Sequence, residues 1–405
     1  MGNNRTKVLF ISRDGYGQSY LDVLFLPIFE TVNSSDVEIK VLQFRPLSLK
    51  SQYSNLVKNS SLKIYFGNYS SGKLFPLIWD VICGIIYISR IIFKDRIKIL
   101  HARSYVTALM VVCIKFFNPK IGFIFDTDGL LVDERVEFGN LNPKGFIYKT
   151  LIFIERNSVK YADAVITRTD QGKDIIFKRA GSIYADKFYV IPNGKDIDVF
   201  KPLDEKKRSE IKNSLGLYNN EPVIVYAGSI GPQYLIDRMF LFFSQVQKLN
   251  NKTLFLFLTN SENKDLRSLA DKYKLPLSSL MVKSVEHDKI PLFLGASDLG
   301  LALRKPSLSQ QAVSPIKVCE YLLCGLPVLV NIGFGDLEKI FSVNPSPGLL
   351  IPDTEEASLK NAALWFNNTV INNRSAFIKT CRQAGILNFG LEGVRNKYRR
   401  VYASI

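Results

Sequence analysis

Ser314-Pro315-Ile316-Lys317-Val318-Cys319-Glu320-Tyr321-Leu322-Leu323-Cys324-Gly325-Leu326-Pro327-Val328-Leu329-Val330 reads as a capped helix that feeds a buried strand. Ser314 suits the N-cap and Pro315 the first helical position, while Gly325 supplies the C-terminal break before Pro327 opens the strand. Working outward, similar strands are expected at Pro222–Gly228, Leu254–Leu258, Met281–Val285, Leu299–Leu303 and Leu349–Ile351, with helices between them. The first half repeats the rhythm at Val8–Ser12, Val37–Phe44, Lys63–Phe66, Ile97–His101, Gly122–Asp126, Ala164–Arg168 and Phe188–Ile191. These runs are almost continuously apolar rather than alternating, as parallel strands covered by helices on both faces must be. The expected class is α/β, with two doubly wound, Rossmann-like domains.

The turn Pro192-Asn193-Gly194 and the polar stretch Lys201–Asn220 set the expected division: residues 1–200, then 201–385. A basic amphipathic helix closes the chain over residues 386–405 and is expected to cross back to the first domain. The length of 405 residues agrees with two units at about 150 residues per domain. With 47% hydrophobic and 22% charged residues, the chain is not disordered. A formal charge of +16 suits a nucleic acid, an anionic membrane surface or a phosphate-bearing substrate. No recognition helix, RNA-binding aromatic motif or zinc-finger spacing accompanies the charge, so no nucleic-acid partner is expected.

The five cysteines lack C-x-x-C spacing and read as buried thiols of a reducing compartment. Two histidines without ligand spacing give a metal site no support, so neither a protein-held cofactor nor a metal is expected. Met1–Lys7 is polar and leads straight into a strand, so no export signal is expected and the cytoplasm is the default location. No run reaches the roughly 18 uncharged apolar residues of a membrane span. Leu77, Val81, Ile85, Ile88 and Ile92 recur at helical spacing ahead of Lys94, Arg96 and Lys98; a core face is favoured over an interfacial helix.

Ligands of open α/β sheets bind beyond the carboxyl ends of the strands, here in a cleft between the two domains. At the helix start of the opening stretch, the backbone N–H groups of Ile316 and Lys317 offer a seat for a diphosphate, and the Lys317 ammonium adds a full charge. Glu320, one turn on, is placed to accept hydrogen bonds from adjacent hydroxyls such as a ribose diol. The alternative is an ordinary i, i+3 pair of Lys317 with Glu320, worth about 0.2–0.5 kcal/mol.

Ser-Pro-Ile-Lys-x-x-Glu-Tyr-Leu-x-x-Gly-Leu-Pro-Val, residues 314–328, resembles the donor-site segment of retaining glycosyltransferases of family 4, which have the glycosyltransferase B fold. Ile191–Phe200 resembles that family's linker, Tyr226–Tyr234 its first turn in the donor domain, and Asn331–Asp336 and Phe123–Arg135 segments of its polysaccharide-building members. The segments follow the family's order over roughly residues 100–400, which is more specific than any one pattern.

The resemblance makes Gly228, Ser229 and Gly231 a turn through which backbone amides approach the donor phosphates; a plain strand-to-helix turn is the alternative. It adds Ser314, Ile316, Lys317 and Glu320 as donor-binding positions. Many members carry an acidic residue eight positions before the ribose-binding one, where this chain has Ala312. Many also place an Arg and a Lys soon after the glycine turn, a pair missing here, and Arg304 and Lys305 beyond the strand Leu299–Leu303 are the expected substitutes. Cations there stabilise charge on a departing nucleoside diphosphate.

Asp126 matches the acidic residue of a polysaccharide-building branch, and Asp128 stands where that branch has Arg. Both are candidate catalytic carboxylates that orient or deprotonate the acceptor hydroxyl; capping of the turn is the alternative. Gly15 and Gly17, in Ser12–Gln18 after the first strand, are candidates for a loop facing donor and acceptor, or else a tight turn. His101 and His287 read as structural or surface residues.

The expected function is transfer of a sugar from a UDP- or GDP-linked donor to a hydroxyl of a glycan or lipid-linked oligosaccharide, with retention, in O-antigen, capsule or other surface polysaccharide synthesis. Peripheral contact with an anionic inner membrane face goes with it. The alternatives are a nucleotide-sugar epimerase or hydrolase of the same fold, and a noncatalytic nucleotide-sugar-binding subunit.

Overall fold

The computed structural model describes residues 5–13, 21–34, 36–46, 60–70, 74–218, 221–260 and 264–405. Gly15 and Gly17 lie outside the described residues. The chain divides into two units, Met1–Pro192 with Glu392–Ile405, and Asn193–Leu391.

The first unit is built on seven strands: β1 (Thr6–Arg13), β2 (Val37–Pro46), β3 (Lys63–Tyr69), β4 (Ile99–Arg103), β5 (Gly122–Asp126), β6 (Ala164–Thr167) and β7 (Phe188–Val190). They pair in the order β3-β2-β1-β4-β5-β6-β7, and every pairing is parallel. The order reverses at β1 and β4, which is the switch point where such sheets open a crevice. The edge strands β3 and β7 are the least buried, as loss of one neighbour requires.

The second unit has β8 (Val223–Ala227), β9 (Leu254–Leu258), β10 (Leu280–Lys283), β11 (Leu299–Ala302), β12 (Val328–Asn331) and β13 (Gly348–Ile351). Their order is β10-β9-β8-β11-β12-β13, again all parallel, with the switch point between β8 and β11. Period-two geometry splits each apolar run between the two faces. Val223, Val225 and Ala227 enter one core with Leu254, Leu256 and Leu258, while Ile224 and Tyr226 enter the other with Phe255 and Phe257.

The division falls at Pro192/Asn193 and Leu391/Glu392 rather than after residues 200 and 385. The cause is hydrogen bonding: Asn193 N donates to Ser314 Oγ at 3.0 Å, and Arg382 donates to the carbonyls of Phe200 and Ile197, at 2.5 and 2.7 Å. The polar stretch expected at the boundary holds a helix, Glu205–Ser214, capped by the Asp204 carboxylate accepting from Lys207 N at 2.7 Å. Its buried Arg208 and Lys212 bind Asp298 at 2.6 and 3.0 Å, fixing it to the second unit.

The closing segment is two helices, Arg374–Phe389 and Leu391–Ala403, separated by extended Gly390. Tyr402 of the second lies in the core of the first unit, 2.9 Å from His101 Nδ1. Cys319, Cys324 and Cys381 are buried as expected of free thiols, whereas Cys83 is exposed and Cys113 partly so.

Gly300 on β11 carries a close approach. A Cβ there would overlap the ring of Tyr321, which crosses the strand and accepts a hydrogen bond from Ala227 N at 2.9 Å. Helix and sheet thus meet at the end of β8. Gly300→Ala is expected to cost about 1–3 kcal/mol by overpacking, read as a lower denaturation midpoint at unchanged slope. A wild-type midpoint would refute the role.

Candidate functional site

At the carboxyl end of β8 the chain turns through Gly228, whose φ of +132° suits glycine and excludes most side chains. The Gly228 amide is committed to Leu258 O at 2.8 Å. The Lys317 ammonium, the tip of a flexible side chain, occupies the place a Cβ would take on Gly228, so it is the backbone conformation that demands glycine. Ser229 is exposed, and its carbonyl accepts from the Tyr226 hydroxyl at 2.6 Å. Gly231 has no such backbone demand; the Gln233 amide side chain fills the space beside it.

Arg304 follows β11, the strand across the switch point. An antiparallel bridge joins it to Tyr234, reinforced by Lys305 N donating to Gln233 O at 2.9 Å and Leu235 N to Leu303 O at 3.2 Å. Buried Asn331 grips the same residue, accepting from Arg304 N and donating to Arg304 O, each at 2.9 Å. The guanidinium carbon sits 4.9 Å from the centre of the Tyr234 ring. Lys305 is exposed.

The helix Ile316–Leu323 starts beside this turn. Ser314 does not cap it: its Oγ and carbonyl are taken by Asn193, and Pro315 precedes the first helical residue with no side-chain cap. The first amides, at Ile316 and Lys317, have no acceptor within the helix, as at every helix start. At the other end Gly325 adopts φ +73° and donates to Leu322 O at 3.0 Å, so the break falls where the sequence sets it.

Lys317 does not pair with Glu320. Its Nζ donates to the Tyr234 hydroxyl at 3.1 Å and lies 4.3 Å from the centre of that ring. Burial pushes the Tyr234 phenol up, but the charges of Lys317 and then Arg304 outweigh it and hold the pKa below its ordinary value. Arg304 and Lys317 therefore converge on one tyrosine, with Gly228 against the Lys317 ammonium and two cations at the switch point of the sheet.

Glu320 is buried and pairs with Lys195 at 2.9 Å, and Lys195 Nζ is 3.5 Å from His287 Nε2. Burial and then the Lys195 charge keep His287 below its ordinary pKa, so the ring meets the ammonium as a neutral acceptor. Ala312 is buried and brings no charge.

In the first unit, Asp126 is fully buried at the end of β5. One oxygen accepts from the Arg168 guanidinium and lies 3.6 Å from His101 Nε2; the other accepts from Asp128 N at 3.2 Å. Arg168 in turn donates to Ile191 O at 3.0 Å and Tyr398 Oη at 3.1 Å. Burial acts to raise the Asp126 pKa, and Arg168 and His101 bring it well below the usual carboxylate range. The carboxylate expected to work on an acceptor hydroxyl is thus enclosed in an ion pair. It positions Arg168 and the following turn and has no open side for a substrate. Asp128, partly exposed and at φ +55°, pairs with Arg103.

Sequence reasoning missed Lys195, Tyr234, His287, Asn331 and Arg382 as members or supports of these sites. Lys195, Tyr234 and Asn331 all lie inside segments quoted for their resemblance, which was the available signal.

Residues 207–384 match the profile of the family described as glycosyl transferases group 1. The match lies wholly within the second unit. Among solved structures, Anabaena Alr3699/HepE in complex with UDP-glucose matches with a TM-score of 0.74 at 15% identity, over 98% of this chain and 100% of that one. WaaG, a glycosyltransferase involved in lipopolysaccharide biosynthesis, matches with a TM-score of 0.67 at 15% identity, over 97% of this chain and 99% of that one. Two Rossmann-like α/β domains of the glycosyltransferase B fold are therefore the fold of this chain. A curated relative, alpha-maltose-1-phosphate synthase of Mycolicibacterium smegmatis, is 28% identical over 86 residues, 21% of this chain. That match spans 22% of the relative's length.

Proposed function

We propose that the protein transfers a sugar from a UDP- or GDP-linked donor to a hydroxyl of a glycan or lipid-linked oligosaccharide in surface polysaccharide synthesis, with retention of configuration. The observation that carries the reading is the convergence of Gly228, Arg304, Lys317 and the start of the helix Ile316–Leu323 at the switch point of a group 1 domain, with Glu320 one turn further on. The diphosphate lies at the helix start, where amide N–H groups and the Lys317 ammonium meet it. Tyr234 holds Lys317 and the Arg304 cation close to the same point, so charge that develops on the leaving diphosphate meets preorganised cations. These cations do the work without a metal, and a chelator is expected to leave turnover unchanged. Glu320 receives the ribose diol, and Lys195 is the partner it exchanges for those hydroxyls.

With no carboxylate nucleophile identified, retention follows a same-face route in which the leaving diphosphate takes the acceptor proton. The buried pairing of Asp126 accords with a route in which that carboxylate has no proton to take.

The test is turnover: purified protein with UDP- and GDP-sugars, with and without lipid-linked oligosaccharide, followed by nucleoside diphosphate release and by NMR of the new anomeric centre. Release that requires the acceptor and gives a retained linkage supports the reading. Release to water with an altered free sugar would replace it with the epimerase or hydrolase, and an inverted product would overturn retention.

A further inference from the structure

The helix Leu74–Asp95 carries apolar side chains on two faces. Ile88 and Ile91 are buried against the first unit, while a second stripe, Ile78, Trp79, Ile82, Ile86 and Phe93, faces outward. Its spacing is again helical, and exposure reaches 66% at Trp79 and 90% at Phe93. The helix packs beside Tyr105–Phe117, which packs beside Phe146–Tyr161. These neighbours expose apolar side chains too, Phe116 and Phe117 on the first and Phe146, Ile147 and Phe153 on the second. Exposed apolar side chains scattered singly need no explanation, but five on one helix and five more on the two helices packed beyond it do.

The charge on these helices is one-sided. Arg90, Lys94, Lys149, Arg156 and Lys160 are exposed. None of the three carboxylates the helices carry is exposed: half-buried Asp80 accepts from Ser70 N, buried Asp95 pairs with Lys40 and Lys63, and buried Glu155 accepts from Tyr105. Among the described residues no helix is long and apolar enough to cross a membrane, so the face suits a surface and not a span.

We propose that this three-helix face docks the first unit on an anionic lipid surface, its aromatic and aliphatic side chains entering the headgroup boundary and its cations meeting lipid phosphates. Tryptophan and phenylalanine among flanking lysines and arginines, with no exposed carboxylate on the helices, is the pattern an anionic interface selects. A protein partner with a mixed-charge rim would be expected to leave acidic side chains on the same face. The inference deepens the lipid-linked acceptor proposed above and rests on that reading for its purpose.

The experiment is flotation of the full chain with vesicles of phosphatidylcholine, alone or with about 30% phosphatidylglycerol. Binding is expected to the anionic vesicles and to fall as salt rises. Trp79→Ser/Phe93→Ser/Phe117→Ser and, separately, Arg90→Glu/Lys149→Glu/Arg156→Glu are each expected to lower partition at least about tenfold. Unchanged melting temperatures check that the variants fold. Wild-type protein that floats with neither vesicle, or variants that float as the wild type does, would overturn the proposal, as would self-association through this face without lipid binding. A UDP or GDP thermal shift on the same samples separates the two readings: nucleotide binding without flotation overturns the docking alone, and flotation without nucleotide binding overturns the donor site alone.

Discussion

Asp126→Ala is expected to destabilise the first unit by about 3–5 kcal/mol, because it strands the buried Arg168 guanidinium without its carboxylate. That corresponds to a fall of roughly 6–20 °C in its melting temperature. Hydrogen exchange in β4 and β5 would show the loss in the first unit. Asp126→Ala/Arg168→Met should recover most of it, since an apolar pair of similar volume needs no compensation for buried charge. Acid should act on the same cluster. Burial holds His101 below its ordinary pKa of 6.5, and Arg168 and His101 overcome burial to hold Asp126 below 3.8. Both folded values lie beneath the unfolded ones, so both contributions are complete at higher pH and are lost as pH falls, first below 6.5 and then below 3.8. A variant Asp126→Ala of wild-type stability that has lost turnover would restore the catalytic role the sequence suggests for this residue.

The second large effect belongs to Glu320. Glu320→Gln is expected to weaken nucleotide binding about 10–100-fold through the loss of charge-assisted hydrogen bonds to the ribose. Glu320→Ala also abandons buried Lys195, and about 3–5 kcal/mol of stability should go with it. Each variant must therefore be compared with itself, with and without nucleotide. Glu320→Gln/Lys195→Met removes the pair together, so that the loss of ligand can be read apart from the loss of fold.

The strands were legible because buried parallel strands leave continuous apolar runs, and the helix Ile316–Leu323 because Pro315 and Gly325 mark its ends. Where marks or periods fail, the reading failed too. Leu74–Asp95 is apolar on two faces, so periodicity picked out the inward stripe and hid the outward one. The helix Glu205–Ser214 looked like a polar linker because its buried face is cationic, held by Asp298 from far along the chain. Ser314 resembled a cap until Asn193 took its hydroxyl.

Partners distant in sequence explain the rest of the site. Lys317 and Glu320 stand one turn apart and invite pairing, yet Tyr234 takes the first and Lys195 the second. Asp126 carries no local sign of Arg168, and that pairing, invisible in the strand itself, decides between an exposed base and a buried anchor.

The most direct measurement is nucleotide-dependent thermal stabilisation of the wild type and of Glu320→Gln/Lys195→Met. At ~100 times its dissociation constant, UDP or GDP should stabilise the wild type by about 2.7 kcal/mol, and the same concentration, roughly 1–10 times the double variant's dissociation constant, should stabilise that variant by only about 0.4–1.4 kcal/mol. Equal shifts in both proteins, or none in the wild type with either nucleotide at saturation, would contradict a donor site built on Glu320.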